Sequence, residues 1–171
     1  MSVFDVINKI LWFIGLILLQ VLLLDKITVA GVATPMAYIY LLMLWNRNGT
    51  RWILLLVGFV LGIIIDCFEN MAGVNASACV LLAMLQPIYL NLFIPRELQD
   101  EPSVEPSLKT LGWVGFMKYA LFCVFTHHLV VLALEYFALT DMVGMLTRIV
   151  GCMALTILVV LIFELIRRKD G

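Results

Sequence analysis

The sequence contains few charged residues. Of its 171 residues, 13% are charged and 64% are hydrophobic, and the mean hydropathy is +1.09. A soluble globular domain carries roughly 25% charged residues, so this chain has too few to cover its own surface. This shortage excludes a soluble domain. The net charge of −1 also argues against nucleic acid as a partner, because phosphate backbones attract basic surfaces.

The sequence also lacks the residue patterns of common enzyme and metal sites. It has one aspartate in an apolar run where an aspartyl intramembrane protease needs two, and it has no phosphate-binding glycine loop and no Ser/His pair. The cysteines form no CxxC pair, which favours small buried side chains over a disulfide framework or a metal site. These cysteines are Cys67, Cys79, Cys123 and Cys152. We therefore expect no enzymatic activity and no cofactor.

Long apolar runs fill most of the chain. A helix needs roughly 20 apolar residues to cross the hydrocarbon core of a bilayer. The runs predict an all-α membrane protein with six transmembrane helices in a single domain, 1–171. The second span is the weakest and is expected to be a short or broken helix, because Gly31, Thr34 and Pro35 interrupt its start. The expected spans are residues 3–24, 29–45, 52–66, 75–94, 112–137 and 142–166.

Basic residues are distributed unevenly around these spans. Six spans place both termini on one side of the membrane, together with nine of the 11 Lys and Arg residues; Lys26 and Arg148 fall on the other side. The positive-inside rule therefore predicts cytoplasmic termini. The first span follows Asp5 and Lys9, and no small-residue cleavage site follows Leu24, so we expect it to be retained rather than removed as a signal peptide.

A carboxylate at the end of the third span is the most informative polar residue. Asp66 follows Gly58 and Gly62 at intervals of four, so the three residues share one helix face. The glycines allow a neighbouring helix to approach, and the same face presents the carboxylate at the outer leaflet. We expect Asp66 to accept charge-assisted hydrogen bonds from the turn 69–77 or to pair with Arg148. The alternative is that Asp66 only ends the helix.

Other polar residues and prolines give smaller signals. Gln20 is expected to face inward and to form an interhelical hydrogen bond, and Asn75 is a plausible N-cap of the fourth helix. Pro87 is expected to kink that helix, because its ring clashes with the preceding turn. The polar connection 95–110 contains three prolines and a run of acids, which predicts an extended, flexible loop.

Two adjacent histidines, His127 and His128, lie near the middle of the fifth span. Adjacent side chains on a helix point about 100° apart, so the two rings are poorly placed to bind one metal ion. We expect one ring to form a hydrogen bond inside the bundle and the other to face a cavity. A proton-relay role, with Asp66, is the alternative.

Several of these residues occur together in the order of a known family. They lie in the stretches LLLQ, GFVLGIIIDCFENMAGVNASA and LQPIYL, and a proline opens the second span. In this order the chain resembles the bacterial rod shape-determining MreD family, in a form similar to that of the Bacteroidetes. The resemblance covers residues 10–95, and beyond them it rests on length, span count and topology. The candidate partner-binding or structural residues are Gln20, Pro35, Gly58, Gly62, Asp66, Gly73, Asn75 and Pro87.

The resemblance implies a six-helix protein of the bacterial inner membrane whose fold is similar to the substrate-binding subunits of energy-coupling-factor vitamin transporters. Members of the family bind MreC and through it join the cell-elongation machinery. That machinery contains the actin-like MreB, the glycosyltransferase RodA and a transpeptidase penicillin-binding protein. We therefore expect a membrane scaffold that supports cell shape and peptidoglycan synthesis. The alternative is a small-solute or ion carrier with an outer-half polar cavity formed by Gln20, Asp66, Asn75, Ser77 and Glu135.

Overall fold

The computed structural model describes residues 3–26, 33–101, 103–135 and 142–170, and these residues form helices and connecting turns without a β-strand. An all-α fold is therefore confirmed for this part of the chain. Single 3-10 turns lie at Leu24–Lys26 and Arg96–Leu98. The α-helices are α1 (Val3–Leu22), α2 (Ile39–Met43), α3 (Arg51–Glu69), α4 (Val74–Phe93), α5 (Leu108–Glu135) and α6 (Met142–Asp170).

Within the described residues, four helices are long and apolar enough to cross a membrane. They are α3, α4, α5 and the Leu146–Arg167 part of α6, and α1 contributes the shorter apolar stretch Leu11–Leu22. Large apolar side chains lie exposed on the outer faces of these helices, as expected where lipid rather than water surrounds them. By the length and composition of its helices, the chain is a multi-pass membrane protein.

The second predicted span, 29–45, does not form a long helix. Residues 29–32 lie outside the described residues, and only α2, five residues long, is helical within the rest. Pro35 disfavours helix in the residue before it and lacks an N–H group, which accounts for the non-helical start. We call residues 33–45 the central segment. Tyr38, Ile39 and Leu42 within it are each 0% exposed, so the other helices surround it.

The third and fourth predicted spans form an antiparallel pair, α3 and α4. α3 extends past the predicted end at Asp66 to Glu69, and Asn70 ends it with φ 55°. α4 begins after Gly73, which has φ 81°, and both residues are types that tolerate this left-handed conformation. α4 continues across Pro87 to Phe93, so the proline does not end the helix.

The fifth predicted span, 112–137, corresponds to α5, which begins earlier at Leu108. Gly112 interrupts the helical backbone with φ 67° and ψ 171°, a region that is essentially limited to glycine. Positions 136 and 137 lie outside the described residues. The sixth predicted span, 142–166, lies within the longer helix α6.

The polar connection 95–110 is docked against the bundle, so the expectation of a flexible loop is wrong. Val104 is 3% exposed, and its carbonyl oxygen accepts a hydrogen bond from the backbone N–H of Arg47 at 3.0 Å. The Arg47 guanidinium also donates to the carbonyl oxygen of Gln99 at 2.7 Å. Between the 3-10 turn Arg96–Leu98 and the start of α5 at Leu108, the described residues of the connection are non-helical, as predicted, but these partners in the 46–51 turn hold them in place.

Candidate functional site

The carboxylate of Asp66 lies at the N-terminus of α4. Asp66 is 3% exposed, and its Oδ1 and Oδ2 accept hydrogen bonds from the backbone N–H groups of Asn75 and Ala76 at 2.9 and 3.0 Å. The first N–H groups of a helix have no partner within the helix, and the helix dipole stabilises a negative charge beside them. The predicted bonds from this turn are confirmed, whereas Arg148 pairs with Glu135 instead.

Gly58 and Gly62 face α4, as predicted. A Cβ atom at Gly62 would overlap the Cα of Ala76, and one at Gly58 would lie 3.1 Å from the carbonyl oxygen of Cys79. The absence of side chains therefore lets the two backbones approach closely. This approach brings the carboxylate of Asp66, one turn further along the same face, to the first turn of α4.

Asn75 does not cap α4, contrary to the prediction. The cap position is Gly73, and the bonds to the first turn come from Asp66. The buried Asn75 side chain accepts a hydrogen bond from the Tyr38 hydroxyl at 2.8 Å and donates to Oε2 of Glu69 at 2.6 Å. Asn75 therefore links the end of α3 to the central segment.

The amide of Gln20 binds the backbone of the central segment. Its Nε2 donates to the carbonyl oxygen of Pro35 at 3.0 Å, and its Oε1 accepts from the N–H of Ala37 at 2.8 Å. The predicted inward-facing position is confirmed, because Gln20 is 0% exposed. Both of these bonds go to backbone groups, which the non-helical start of the central segment leaves without helical partners.

Side chains from three other helices bind the rest of this backbone. Non-helical backbone inside a membrane protein requires such partners, because no water is present to replace them. The bonds run from Met36 N–H to Thr156 Oγ1 (3.0 Å), from the Tyr119 hydroxyl to Met43 O (2.7 Å) and from Gln86 Nε2 to Trp45 O (3.1 Å). With Gln20, four helices (α1, α4, α5 and α6) therefore hold the central segment through side chains.

Both histidines are buried in α5, so the expectation that one of them faces a cavity is wrong. His128 Nδ1 lies 2.9 Å from the carbonyl oxygen of Val124, and its Nε2 lies 3.2 Å from Thr156 Oγ1. Because a carbonyl only accepts, Nδ1 donates and the Thr156 hydroxyl donates to Nε2. His128 therefore orients the hydroxyl group that accepts from Met36.

The ring of His127 has weaker polar contacts. Its Nε2 lies 3.6 Å from Cys79 Sγ, the ring meets Tyr38 edge-on with centroids 5.3 Å apart, and Nδ1 has no hydrogen-bond partner in the described structure. The four cysteines are free, and all but Cys67 are buried. Among the described residues, no three His, Cys, Asp or Glu side chains are grouped closely enough to hold a metal ion.

A second buried carboxylate, Glu164 in α6, was missed in the sequence. It is 2% exposed and accepts hydrogen bonds from the Tyr40 hydroxyl at 2.7 Å, the Leu108 N–H at 2.9 Å and Arg167 Nε at 3.0 Å. Arg167 also donates to the carbonyl oxygen of Pro106 at 2.9 Å. The sequence signal that could have indicated this buried ion pair is a glutamate three residues before an arginine at the end of an apolar run.

A cavity of about 580 Å³ opens at the end of the bundle where α1, α3 and α5 end and α6 begins. We call it the outer cavity. Charged side chains of both signs line it together with apolar ones. Arg148 Nη1 and Glu135 Oε2 form an ion pair of 3.4 Å in its wall. The other charged residues of the wall are Lys26 and Glu69.

The outer cavity differs from the one predicted for a carrier. Of the five predicted residues, only Gln20 and Glu135 line it. Asp66 and Asn75 bond inside the protein, and the exposed Ser77 donates to the carbonyl oxygen of Val74 at 2.8 Å. The cavity therefore exists at the predicted end of the bundle but with a different set of polar groups.

No family model, curated protein or solved structure matches this chain. The side chains of Gln20, Asp66 and Gln86 form hydrogen bonds with backbone groups of neighbouring segments. Such bonds fix the positions of the helices relative to one another. In the outer cavity, by contrast, several charged side chains face open space.

Proposed function

We propose that the chain is a non-enzymatic scaffold subunit of the bacterial cell-elongation machinery, as its resemblance to the MreD family implies. In this role it lies in the inner membrane and binds MreC. Through MreC it acts with MreB, RodA and a transpeptidase penicillin-binding protein in peptidoglycan synthesis and cell shape.

The observation that carries this proposal is the connection between the residues on which the resemblance rests. Gln20 binds Pro35, and Gly62 allows the approach that lets Asp66 bind the first turn of α4. Asn75 joins that turn to the central segment. These residues build one helix framework, and their polar groups are engaged within it, which suits a protein that acts by positioning a partner.

The path of the central segment supports six crossings of the membrane. It lies alongside α6 and runs in the same direction, because successive contacts advance along both. They pair Thr34 with Cys152, Met36 with Thr156 and Tyr40 with Glu164. Positions 152 and 164 of α6 are twelve helical steps apart, which corresponds to a rise of about 18 Å at ~1.5 Å per step, a large part of the ~30 Å hydrocarbon core. The central segment with its short helix α2 therefore extends over a large part of the proposed second crossing.

The proposal has both termini in the cytoplasm, an orientation supported by six crossings together with the positive-inside asymmetry. Reporter fusions at Asn48, Gln99 and Gly171 are then expected to give a cytoplasmic signal, and a fusion at Thr140 an external one. An external signal at Gln99 would contradict this topology.

The outer cavity supports a second candidate, a carrier of a small solute. Its volume of about 580 Å³ lies within the range of roughly 300–1,000 Å³ for ligand pockets. The engagement of Asp66 and Asn75 inside the protein weakens this candidate, because it leaves fewer polar groups to surround a solute.

Affinity purification from membranes in a mild detergent separates the two candidates. The scaffold predicts that MreC is recovered with the tagged chain in a near-stoichiometric amount. The carrier predicts a bound small molecule and no MreC. A matched culture expressing an unrelated tagged membrane protein controls for non-specific capture, and recovery of MreC at the level of that control would reject the scaffold.

A further inference from the structure

The wall of the outer cavity is electrically mixed. Among the residues that the structure describes in this wall, Lys26 and Arg148 supply two positive charges and Glu69 and Glu135 two negative charges, so these charges balance. A ligand that carries one positive and one negative charge keeps the net charge of these groups and the ligand at zero, whereas an ion of a single sign would leave a net charge there.

The ion pair in the wall is accessible to such a ligand. Arg148 and Glu135 lie 3.4 Å apart, with side chains 36% and 17% exposed. A pair of this kind is worth roughly 0–1 kcal/mol, so little is lost when its members take additional partners. Arginine binds phosphate oxygens through two donors, and a carboxylate accepts from a primary ammonium group.

The rim of the cavity joins the surface that faces lipid. Leu22 and Phe68 both line the cavity and are 62% and 63% exposed. These apolar side chains contribute little to the binding of a water-soluble solute, whereas an amphiphile can pack its apolar part against them. Glu69, the last residue of the apolar helix α3, also lines the cavity, and the end of a membrane-spanning helix is expected near the lipid head groups.

We propose that the outer cavity binds a phospholipid whose head group carries both a phosphate and a primary ammonium group, as phosphatidylethanolamine does. Arg148 binds the phosphate and Glu135 accepts from the ammonium group, with Lys26 and Glu69 completing the charged wall. The acyl chains leave the cavity across Leu22 and Phe68. This site does not depend on MreC, so its test is independent of the scaffold proposal.

The test counts lipids retained by the purified full-length chain in native mass spectrometry. The chain is reconstituted with phosphatidylethanolamine, phosphatidylcholine or phosphatidylglycerol in turn. The first carries phosphate and N–H donors, the second lacks the N–H donors, and the third lacks the positive charge. We expect one phosphatidylethanolamine to be retained about tenfold more than either other lipid, the effect of one charge-assisted hydrogen bond. Equal retention of all three lipids by the wild-type chain would by itself overturn the proposal.

Two variants and one control locate the site. Arg148→Gln and Glu135→Gln are each expected to lower retention of phosphatidylethanolamine about tenfold, since each removes one charged contact. Lys118→Gln removes an exposed charge of α5 outside the cavity and should leave retention unchanged. Unchanged retention in both cavity variants would place the lipid elsewhere and reject the site.

A last arm distinguishes a lipid from a free solute of the same chemistry. Glycerophosphoethanolamine carries the same head group without acyl chains. The proposal predicts that it does not displace the retained lipid, because the contacts at Leu22 and Phe68 are then missing. Displacement by this soluble compound would assign the cavity to a solute and overturn the proposal.

Discussion

Asp66 Oδ1 accepts a hydrogen bond from the backbone N–H of Asn75 at 2.9 Å, so the end of α3 caps the start of α4. A carboxylate in this position accepts hydrogen bonds from backbone N–H groups that have no partner within the helix, and its negative charge also complements the helix dipole. The cost of placing the carboxylate in an apolar bundle is thereby offset. The contact also fixes Asn75, whose side chain reaches the central segment.

Asp66→Asn is expected to lower the free energy of unfolding by about 1.5–3 kcal/mol, the value of hydrogen bonds to a charged group. Asparagine offers one acceptor oxygen for two N–H donors and carries no charge. Thermal unfolding in detergent measures the loss. Asp100→Asn changes an exposed aspartate in the same way and should have little effect. A melting temperature for Asp66→Asn equal to that of the control would show that the carboxylate does not stabilise the chain and that Asp66 only lies near the end of α3.

Gly62→Ala is expected to destabilise the chain by about 1–3 kcal/mol, the usual cost of overpacking. Its methyl group would overlap the backbone of Ala76. Gly15→Ala is the matched control, because the Cβ of that exposed residue in α1 would meet no atom within 4 Å. The control should be neutral or slightly stabilising, since alanine favours helix. Equal melting temperatures for the two variants would contradict close packing of α3 on α4.

Gln20→Leu is expected to cost about 1–3 kcal/mol for each backbone group left unpaired. The groups are the carbonyl of Pro35 and the N–H of Ala37, which no side chain would then bind. The expected readout is a lower yield of monodisperse protein in fluorescence-detected gel filtration. Gln99→Leu, at an exposed position of the docked loop, serves as the control. A normal yield for Gln20→Leu would show that the central segment does not need this amide.

Glu164→Gln is expected to loosen the docked loop as well as to destabilise the chain by about 1.5–3 kcal/mol. The amide cannot accept from Tyr40, Leu108 and Arg167 together. Trypsin should therefore cut faster after Lys109, which lies beside Leu108. The double variant Glu164→Gln/Arg167→Gln should cost less than the sum of the single changes, since the two residues interact. Strict additivity and unchanged cleavage would argue against this cluster.

The sequence predicted the parts of the fold that depend on neighbours along the chain. The four-residue spacing of Gly58, Gly62 and Asp66 defines one helix face, and a turn of few residues returns the chain to α4. The face toward α4 and the bonds from its first turn could therefore be predicted. The cap could not be assigned correctly, because Asp66 and Asn75 can each supply an oxygen, and the backbone geometry decides between them.

The short or broken helix of the second span could be predicted, but the partners of the central segment and of the docked loop could not, because they lie far away along the chain. Tyr40 and Glu164 are 124 positions apart, and Met36 and Thr156 are 120 apart. A proline-interrupted apolar run fits both a broken helix and a segment held by side chains. The loop 95–110 is rich in prolines and acids, which predicts exposure, but the partners of Val104 and Pro106 lie in other parts of the chain.

Binding between the separately purified chain and MreC, both in nanodiscs, tests the central claim most directly. The scaffold function predicts a saturable one-to-one complex of MreC with the wild-type chain. It predicts weaker binding for Asp66→Asn, in which the turn between α3 and α4 is loosened, and unchanged binding for Asp100→Asn. A wild-type chain that is folded, as judged by its thermal transition, and yet does not bind MreC would contradict the scaffold function.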